Sequence, residues 1–425
     1  MRKHIVFIMG SYGTYMSPGA NIVSKVRDAL EKDPELKITT IAHKEHFSDN
    51  GIAGEENLIL LQDTGTCIHH LCQDKIRTER GVKRVFYKLL LSCKKVVHFA
   101  GMLVRRYGYS NVLKRKTFKL LEEIHKQNKI DVLIPCGEPH DAVFAGLSFK
   151  KKYPDTIFLP YQLDRFANGN SLYKVPKLQK GLKERNLRKE EEVLTYADVV
   201  YVLKPILPHY QSERFAAYQN KIVPTEHPML VPHADVQMKG NSKQAMDIVY
   251  AGSLDKKLRN PTTWLEILLH VKNMGVLAVQ NKMFSFGNCE DILKHYEKEL
   301  GDYFVNAGKI PYEKVVEEYQ KADFILTIGN HSTEEVPSKI FDCISYGKPM
   351  IHLYHCEEDP CIPYLKDYPY ALCLPLSTDA VADNANRLIA FCETYCGKKV
   401  DFTTVESIFK ECTPKYVADM FLEQM

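Results

Sequence analysis

Residues 334–349, EEVPSKIFDCISYGKP, stand between two apolar runs, DFILTIG at 323–329 and PMIHLY at 349–354. Short apolar runs bounded by Gly and Pro read as buried strands. The stretch between them carries helix punctuation. Pro337 suits a first helical turn, where the N–H it lacks would have had no partner. Gly347 suits the position just past the last turn. The order is therefore strand, loop, helix, strand. The loop puts Glu334, Ser338 and Lys339 at a helix N-terminus beyond the carboxyl end of a strand, where open α/β sheets bind anions. Asp342 follows one helical turn further in.

The same scheme repeats along the chain. MDIVYAG (246–252), KMFSFG (282–287) and YFVNAG (303–308) alternate with helices after Pro261, near Ile292 and from Tyr312. In the first half, HIVFIM (4–9), KITTIA (37–42), LILL (58–61), DVLIPC (131–136), TIFLPYQLD (156–164) and ADVVYVL (197–203) alternate with helices at about 20–32, 140–152 and 175–196. Apolar runs without polar alternation imply an α/β fold whose parallel sheets are covered on both faces. Tyr196-Ala197-Asp198 and Lys321-Ala322-Asp323 each end a helix just before a buried strand, a local echo between two halves. At 425 residues, two Rossmann-like domains are the natural reading. Pro224, Pro228, Pro232, Gly240 and Asn241 punctuate the linker between them.

Composition narrows the class. The chain is 45% hydrophobic and 26% charged, as ordinary globular proteins are. MRKHIVFIMG reads as a first strand rather than a signal peptide. No uninterrupted apolar run reaches the ~18 residues of a membrane span. Twelve cysteines lie scattered without a repeated C-x-x-C, which reads as reduced thiols of a cytoplasmic protein. His352, His355 and Cys356 read as a strand end with incidental side chains. No metal ligand set and no convincing D-x-D is expected. Charge is strongly segregated: residues 75–119 hold fourteen Lys or Arg against Glu79, so that segment is +13 and the remainder −9.

The 334–349 stretch resembles the donor-binding signature of GT-B glycosyltransferases of family 4: an acid, seven residues, a second acid, then small-x-G-x-P. Glu334 and Asp342 form the pair, and S-Y-G-K-P follows. The resemblance implies two Rossmann-like domains facing across a cleft. Residues 1–230 would bind the acceptor, 231–400 the nucleotide sugar, and 401–425 would pack back on the first domain. It also implies that Glu334 holds donor-sugar hydroxyls, that Asp342 binds the ribose, and that intervening N–H groups face the pyrophosphate. The chain departs by a shorter second acid and by Pro337, whose missing N–H Ser338 and Lys339 would offset.

A second phosphate-facing element falls at the first strand-to-helix turn of the second half, YAGSLDKKLRNP (250–261). A diphosphate needs cations as well as backbone N–H groups. The family pattern places Arg directly after Gly252 and Lys five residues later. Here Ser253 takes the first place, and Arg259 then Asn260 lie just beyond the second. Arg259 is the first expectation for the diphosphate and Lys257 the second. Residues 306–308 and 284–288 would border base and ribose. The donor is expected to be UDP-linked, without a cofactor, and the reaction to retain configuration.

On the acceptor side, the Gly-rich turn at 10–19 offers Gly13 and Ser17. Glu138 and His140 follow the strand DVLIPC, and Asp164 ends TIFLPYQLD; Glu138 or His140 would touch the donor sugar or the acceptor hydroxyl. Between Val82 and Arg106, apolar residues alternate with Lys and Arg. A cationic amphipathic helix of this kind docks on an anionic bilayer, which suits a glycan or lipid-linked acceptor and a peripheral place at the inner face of the cell membrane. Nucleic acid is not expected, since aromatic stacking platforms and a known module are missing. A nucleotide-sugar epimerase and a non-catalytic scaffold of the same fold remain as alternatives.

Overall fold

The structure, a computed structural model, describes the chain except residues 1, 13–15, 53–54, 56, 106–108, 138–139, 169–175, 234–244, 332 and 334–335, and the side chains of 98–99, 101–105 and 176–180. The chain divides into two compact units, Met1–Pro228 with Pro414–Met425, and Met229–Thr413.

In the first unit, β1 (Lys3–Met9), β2 (Leu36–Lys44), β3 (Leu58–Gln62), β4 (Val132–Pro135) and β5 (Ile157–Phe158) form a parallel sheet in the order β3-β2-β1-β4-β5. β6 (Tyr161–Gln162), β7 (Val200–Leu203) and β8 (Ile222–Thr225) form a second parallel sheet. The helices are α1 (Pro18–Glu31), α2 (Thr64–Thr78), α3 (Gly81–Arg105), α4 (Asn111–Gln127), α5 (His140–Lys152), α6 (Pro176–Tyr196) and the short α7 (Leu207–Tyr210). β1 is buried from His4 to Met9, as an uninterrupted apolar run between two helical layers requires. TIFLPYQLD, expected as one strand, is two: β5 and β6 flank Pro160, which has no N–H to donate to a ladder. A parallel bridge from Cys136 to Tyr161 still ties β6 to the end of β4.

In the second unit, β9 (Met246–Leu254), β10 (Val279–Gly287), β11 (Phe304–Asn306), β12 (Phe324–Ile328), β13 (Met350–Tyr354) and β14 (Ala371–Pro375) form one parallel sheet in the order β11-β10-β9-β12-β13-β14. Counted within the unit this is 3-2-1-4-5-6, the Rossmann order. Its helices are α8 (Thr262–Met274), α9 (Glu290–Leu300), α10 (Tyr312–Lys321), α11 (Lys339–Ser345), α12 (Ile362–Asp367), α13 (Val381–Tyr395) and α14 (Phe402–Ile408). Trp264 is fully buried in this core. Its indole N–H donates to Asn281 Oδ1 at 3.0 Å, and Asn281 Nδ2 donates to the Ile248 carbonyl at 2.9 Å. A buried amide thus satisfies both an indole and a strand carbonyl.

The C-terminal stretch 401–425, expected as one helix, is broken. α14 stays with the second unit, and only α15 (Pro414–Leu422) joins the first. There it packs on α1. Phe421 lies 4.1 Å from the Tyr201 ring, and Tyr201 Oη donates to the Met420 carbonyl at 2.6 Å.

Gly347 ends the helical stretch as expected, with φ +69°. Its N–H donates to Ile344, and its carbonyl accepts from Val400 at 2.8 Å. A Cβ there would fall 2.1 Å from the Val400 carbonyl oxygen. Gly347→Ala should therefore cost about 2 kcal/mol or more, from the left-handed backbone plus the clash. Urea unfolding checks this; an unchanged midpoint would contradict the packing.

Candidate functional site

The site is set by how two strands part. β9 pairs with β10 over nine residues, but with β12 only at Phe324↔Ile248 and Ile325↔Val249. Beyond Val249 and Ile325 the two strands lose each other, so their carboxyl ends open a crevice at the point where strand order reverses. The edge groups left behind need partners. Tyr319 of α10 supplies them: its Oη lies 3.2 Å from the Ala251 N–H and 3.4 Å from the Ala251 carbonyl.

A cavity of about 50 Å³ occupies the crevice. At the ~10–15 Å³ a water needs, it has room for about three to five waters, closer to a phosphate group than to a nucleotide. Tyr250, Gly252, Thr327 and Ile328 line its strand side, and Arg259, Lys339, His352 and Cys361 its remainder; among the described residues no carboxylate lines it.

The loop after β9 explains Arg259. Asp255 and Arg259 form an antiparallel bridge, which folds the loop back on itself. Asp255 Oδ1 caps the turn by accepting from the N–H groups of Lys257 and Leu258 at 2.8 and 3.1 Å. The returning Arg259 donates from Nε to Asn330 Oδ1 at 2.6 Å and from Nη1 to Ser253 Oγ at 3.0 Å. Both acceptors are neutral, so they orient the guanidinium without cancelling its charge. Among the described residues Arg259 has no carboxylate partner.

Lys339 opens α11 with its ammonium 5.4 Å from the centre of the Tyr319 ring. Burial pushes its pKa below the ordinary lysine value, and Cys343 and Asp342 oppose that shift. Two cations thus flank a cavity that no carboxylate lines among the described residues.

The other expected donor residues are placed differently. Lys257 is exposed and outside the cavity lining. Asn260 is committed to the start of α8, where its Oδ1 accepts from Thr262 N and Oγ1 at 3.0 and 2.7 Å. Ser338 makes no capping hydrogen bond. Asp342 is buried; its Oδ1 accepts from Tyr312 Oη at 3.3 Å and stands 3.6 Å from His233 Nε2. The His233 ring stacks on Tyr346 at 3.8 Å between centroids. Glu334 lies outside the described residues, as do Gly13 and Glu138. Sequence reasoning missed Asn330 and His233. Asn330 had a signal: it follows Gly329 directly, at a strand's carboxyl end.

In the first unit, Ser17 caps α1, its Oγ accepting from Ala20 N at 3.2 Å. Asp164 is exposed, and its Oδ1 accepts from the Arg165 N–H at 2.7 Å. His140 starts α5 with its ring 4.8 Å from Phe166 and its Nε2 buried without a hydrogen bond. Burial lowers its pKa to about 4, against a backbone hydrogen bond with Asp164 that raises it. The neighbouring Asp141 is the more unusual group. It is buried 3.5 Å from His43 Nε2, at the carboxyl end of β2. Burial and then the charge of Asp63 raise the Asp141 pKa to about 7, while burial lowers that of His43 to about 4.

The basic segment forms α3 as expected. Val82, Val85, Phe86, Leu89, Val96 and Val97 are each more than half exposed. Their spacing of three and four puts them on one face of the helix. No helix among the described residues is long and apolar enough to cross a membrane.

No protein-family model matches the chain, and no curated protein matches it in sequence. Solved structures match it in fold along its whole length. The lipopolysaccharide outer core galactosyltransferase WaaB in its apo form is 13% identical, with 99% of each chain covered and a TM-score of 0.53. A UDP-N-acetylglucosamine 2-epimerase is 12% identical over 100% of this chain and 95% of its own, with a TM-score of 0.54. The N-terminal domain of Candida albicans trehalose-6-phosphate phosphatase is 10% identical over 99% and 98%, with a TM-score of 0.56. The fold is GT-B, built from two Rossmann-like units; at these identities the likeness is one of fold.

The Asp141 shift has a stability consequence. Its folded pKa of about 7 lies above the ordinary 3.8. The stability it contributes is full below the unfolded value and is lost as pH rises through about 7. Asp141→Asn keeps the uncharged shape, so its Tm relative to the parent should rise more at about pH 8 than at about pH 5. Thermal unfolding at both pH values checks this; an equal or reversed difference would contradict it.

Proposed function

We propose that this chain is a retaining glycosyltransferase that moves a sugar from a nucleoside diphosphate donor, UDP-linked, to a glycan or lipid-linked acceptor. The observation that carries this reading is the pair Arg259 and Lys339, flanking a cavity at the switch point of a Rossmann sheet. As the glycosidic bond to the donor breaks, positive charge grows at the anomeric carbon and negative charge on the departing phosphate. Oriented cations in a water-poor site stabilise that developing charge with little reorganisation. Arg259 meets the requirement because Asn330 and Ser253 fix its plane beforehand. Glu334 is assigned to the donor sugar and Asp342, through the carboxylate that Tyr312 holds, to the ribose. The first unit is assigned to the acceptor, with His140 or Glu138 toward the hydroxyl and with Gly13, Ser17 and Asp164 around it.

The exposed apolar face of α3 supports a lipid-linked acceptor. At ~1 kcal/mol per basic residue near an anionic surface, five or six such residues give useful reversible docking. A second reading is favoured by Asp141. A 2-epimerisation removes and returns a proton, and a carboxyl with a pKa of about 7 is matched to that task. Donor turnover without any acceptor, with solvent deuterium entering the sugar, would select the epimerase.

A thermal-shift screen across UDP-, GDP-, ADP- and TDP-sugars should show stabilisation by one nucleotide class. No shift with any of them would sink the nucleotide-sugar reading and favour a scaffold. Arg259→Ala should weaken UDP binding by roughly 10- to 100-fold, the loss of a charged hydrogen bond worth ~1.5–3 kcal/mol. Calorimetry reads this directly, and a change under twofold would remove Arg259 from the diphosphate.

Reversing the charges of Lys83, Arg84, Lys94 and Lys95 should release the protein from anionic vesicles, with no effect on neutral ones. Equal sedimentation of parent and variant would refute membrane docking.

A further inference from the structure

Three buried side chains at the edge of the cavity are used by nothing so far. His352 lies on β13, and Asp359 and Cys361 on the loop before α12. They are 1%, 3% and 1% exposed. One donor atom of each, His Nε2 or Nδ1, a carboxylate oxygen and Sγ, lies within 4.8 Å of the other two. His352 and Cys361 also line the cavity.

One contact engages the outer nitrogen of His352. Thr327 Oγ1 lies 3.4 Å from the Ile351 carbonyl and 2.8 Å from His352 Nδ1. With the hydroxyl proton on the carbonyl, the same oxygen accepts from Nδ1–H and Nε2 carries the lone pair, the tautomer a metal ligand needs. Nε2 faces Asp359 Oδ2 at 3.4 Å, and both atoms are buried. A buried carboxylate oxygen and an imidazole nitrogen at that distance need a cation, a proton or a metal ion, between them. Asp359 is held in this pose: its Oδ1 accepts from the Cys361 N–H at 2.8 Å. Gly329 makes room for Oδ2, since a Cβ there would lie 2.1 Å away.

We propose that His352 Nε2, Asp359 Oδ2 and Cys361 Sγ form a binding site for a divalent transition-metal ion of the zinc class, with its fourth position open to the cavity. Tetrahedral zinc with ~2.0 Å bonds to N and O separates those ligands by about 3.3 Å, close to the observed 3.4 Å. Imidazole, carboxylate and thiolate are zinc's ordinary ligand types, and three protein ligands leave one position for water or an anionic oxygen. With carboxylate and thiolate the bound site is neutral, which suits the nearby Arg259. The Thr327 hydroxyl is the outer partner that fixes the imidazole's orientation. The proposal does not depend on the transferase reading, whose charge stabilisation uses Arg259 and Lys339.

The test is metal content and cobalt spectroscopy of the full chain. One equivalent of Co²⁺, added to metal-free protein, should give a thiolate-to-cobalt charge-transfer band, and Zn²⁺ should displace it. Cys361→Ser should abolish the band with far-UV circular dichroism unchanged. Thr327→Val should weaken Co²⁺ binding by roughly 10- to 100-fold. The absence of a band in the parent, together with less than one tenth of an equivalent of zinc as purified, would overturn the site. So would a band that survives Cys361→Ser. If Cys361→Ser does not fold, Asp359→Asn decides: cobalt affinity equal to the parent's would also refute it.

Discussion

The parting of β9 and β12 is the constraint on which the second unit depends. Two register pairs hold these strands together, and past them each must find other partners. β9 keeps β10, β12 keeps β13, and the gap between them is where backbone and side chains of opposite crossovers can meet. The cost of opening a sheet is unpaired peptide groups. Tyr319 takes up that cost at Ala251. Its ring then lies beneath the Lys339 ammonium, so one side chain both seals the strand edge and gives the cation a partner that is not a carboxylate. A second unit with Phe at 319 would keep the ring and lose the seal.

The same economy appears in the positioning of charge. Several exposed lysines pair with acids, as Lys256 does with Asp291. At the crevice, the acceptors that hold Arg259 are an amide and a hydroxyl. The difference matters because a guanidinium already neutralised by a carboxylate has little to offer a phosphate. Segregation also holds at the scale of the chain: the +13 segment includes α3, whose apolar face is exposed in the same stretch.

Much of this was legible in the sequence, and the reasons for the rest are physical. Uninterrupted apolar runs located most strands of the three sheets, because a strand buried on two faces has no polar alternation to hide. β8 and β14 were not read out, and Pro160 split a run that looked continuous, since apolarity says nothing of a missing N–H. Arg259 was found by spacing from Gly252. Asn260 and Lys257 were placed beside it by the same spacing, and the fold gave one to a helix start and the other to solvent. Side chains that meet only through sheet register were not legible. His352 was noticed, but with His355 and Cys356, its neighbours in sequence. Its neighbours in space are Asp359 and Cys361, seven and nine residues on, brought back by a loop that no local pattern announces.

The displaced arginine gives the sharpest link between sequence and site. The sequence pattern that 250–261 resembles carries Arg directly after Gly252, two residues before β9 ends; here Ser253 stands there, which looks like a lost charge. The loop restores it. Asp255 and Arg259 bridge across the turn, so the chain reverses and brings Arg259 back beside the strand end. Ser253 then receives Nη1 at 3.0 Å, and the guanidinium lies against the residue that replaced it. A serine at 253 is small enough to leave that space and polar enough to hold the fork. An arginine at 253 would collide with Arg259 in both volume and charge. Ser253 and Arg259 therefore act as a pair, and the Asp255 turn is what allows the charge to come from six residues later in the chain.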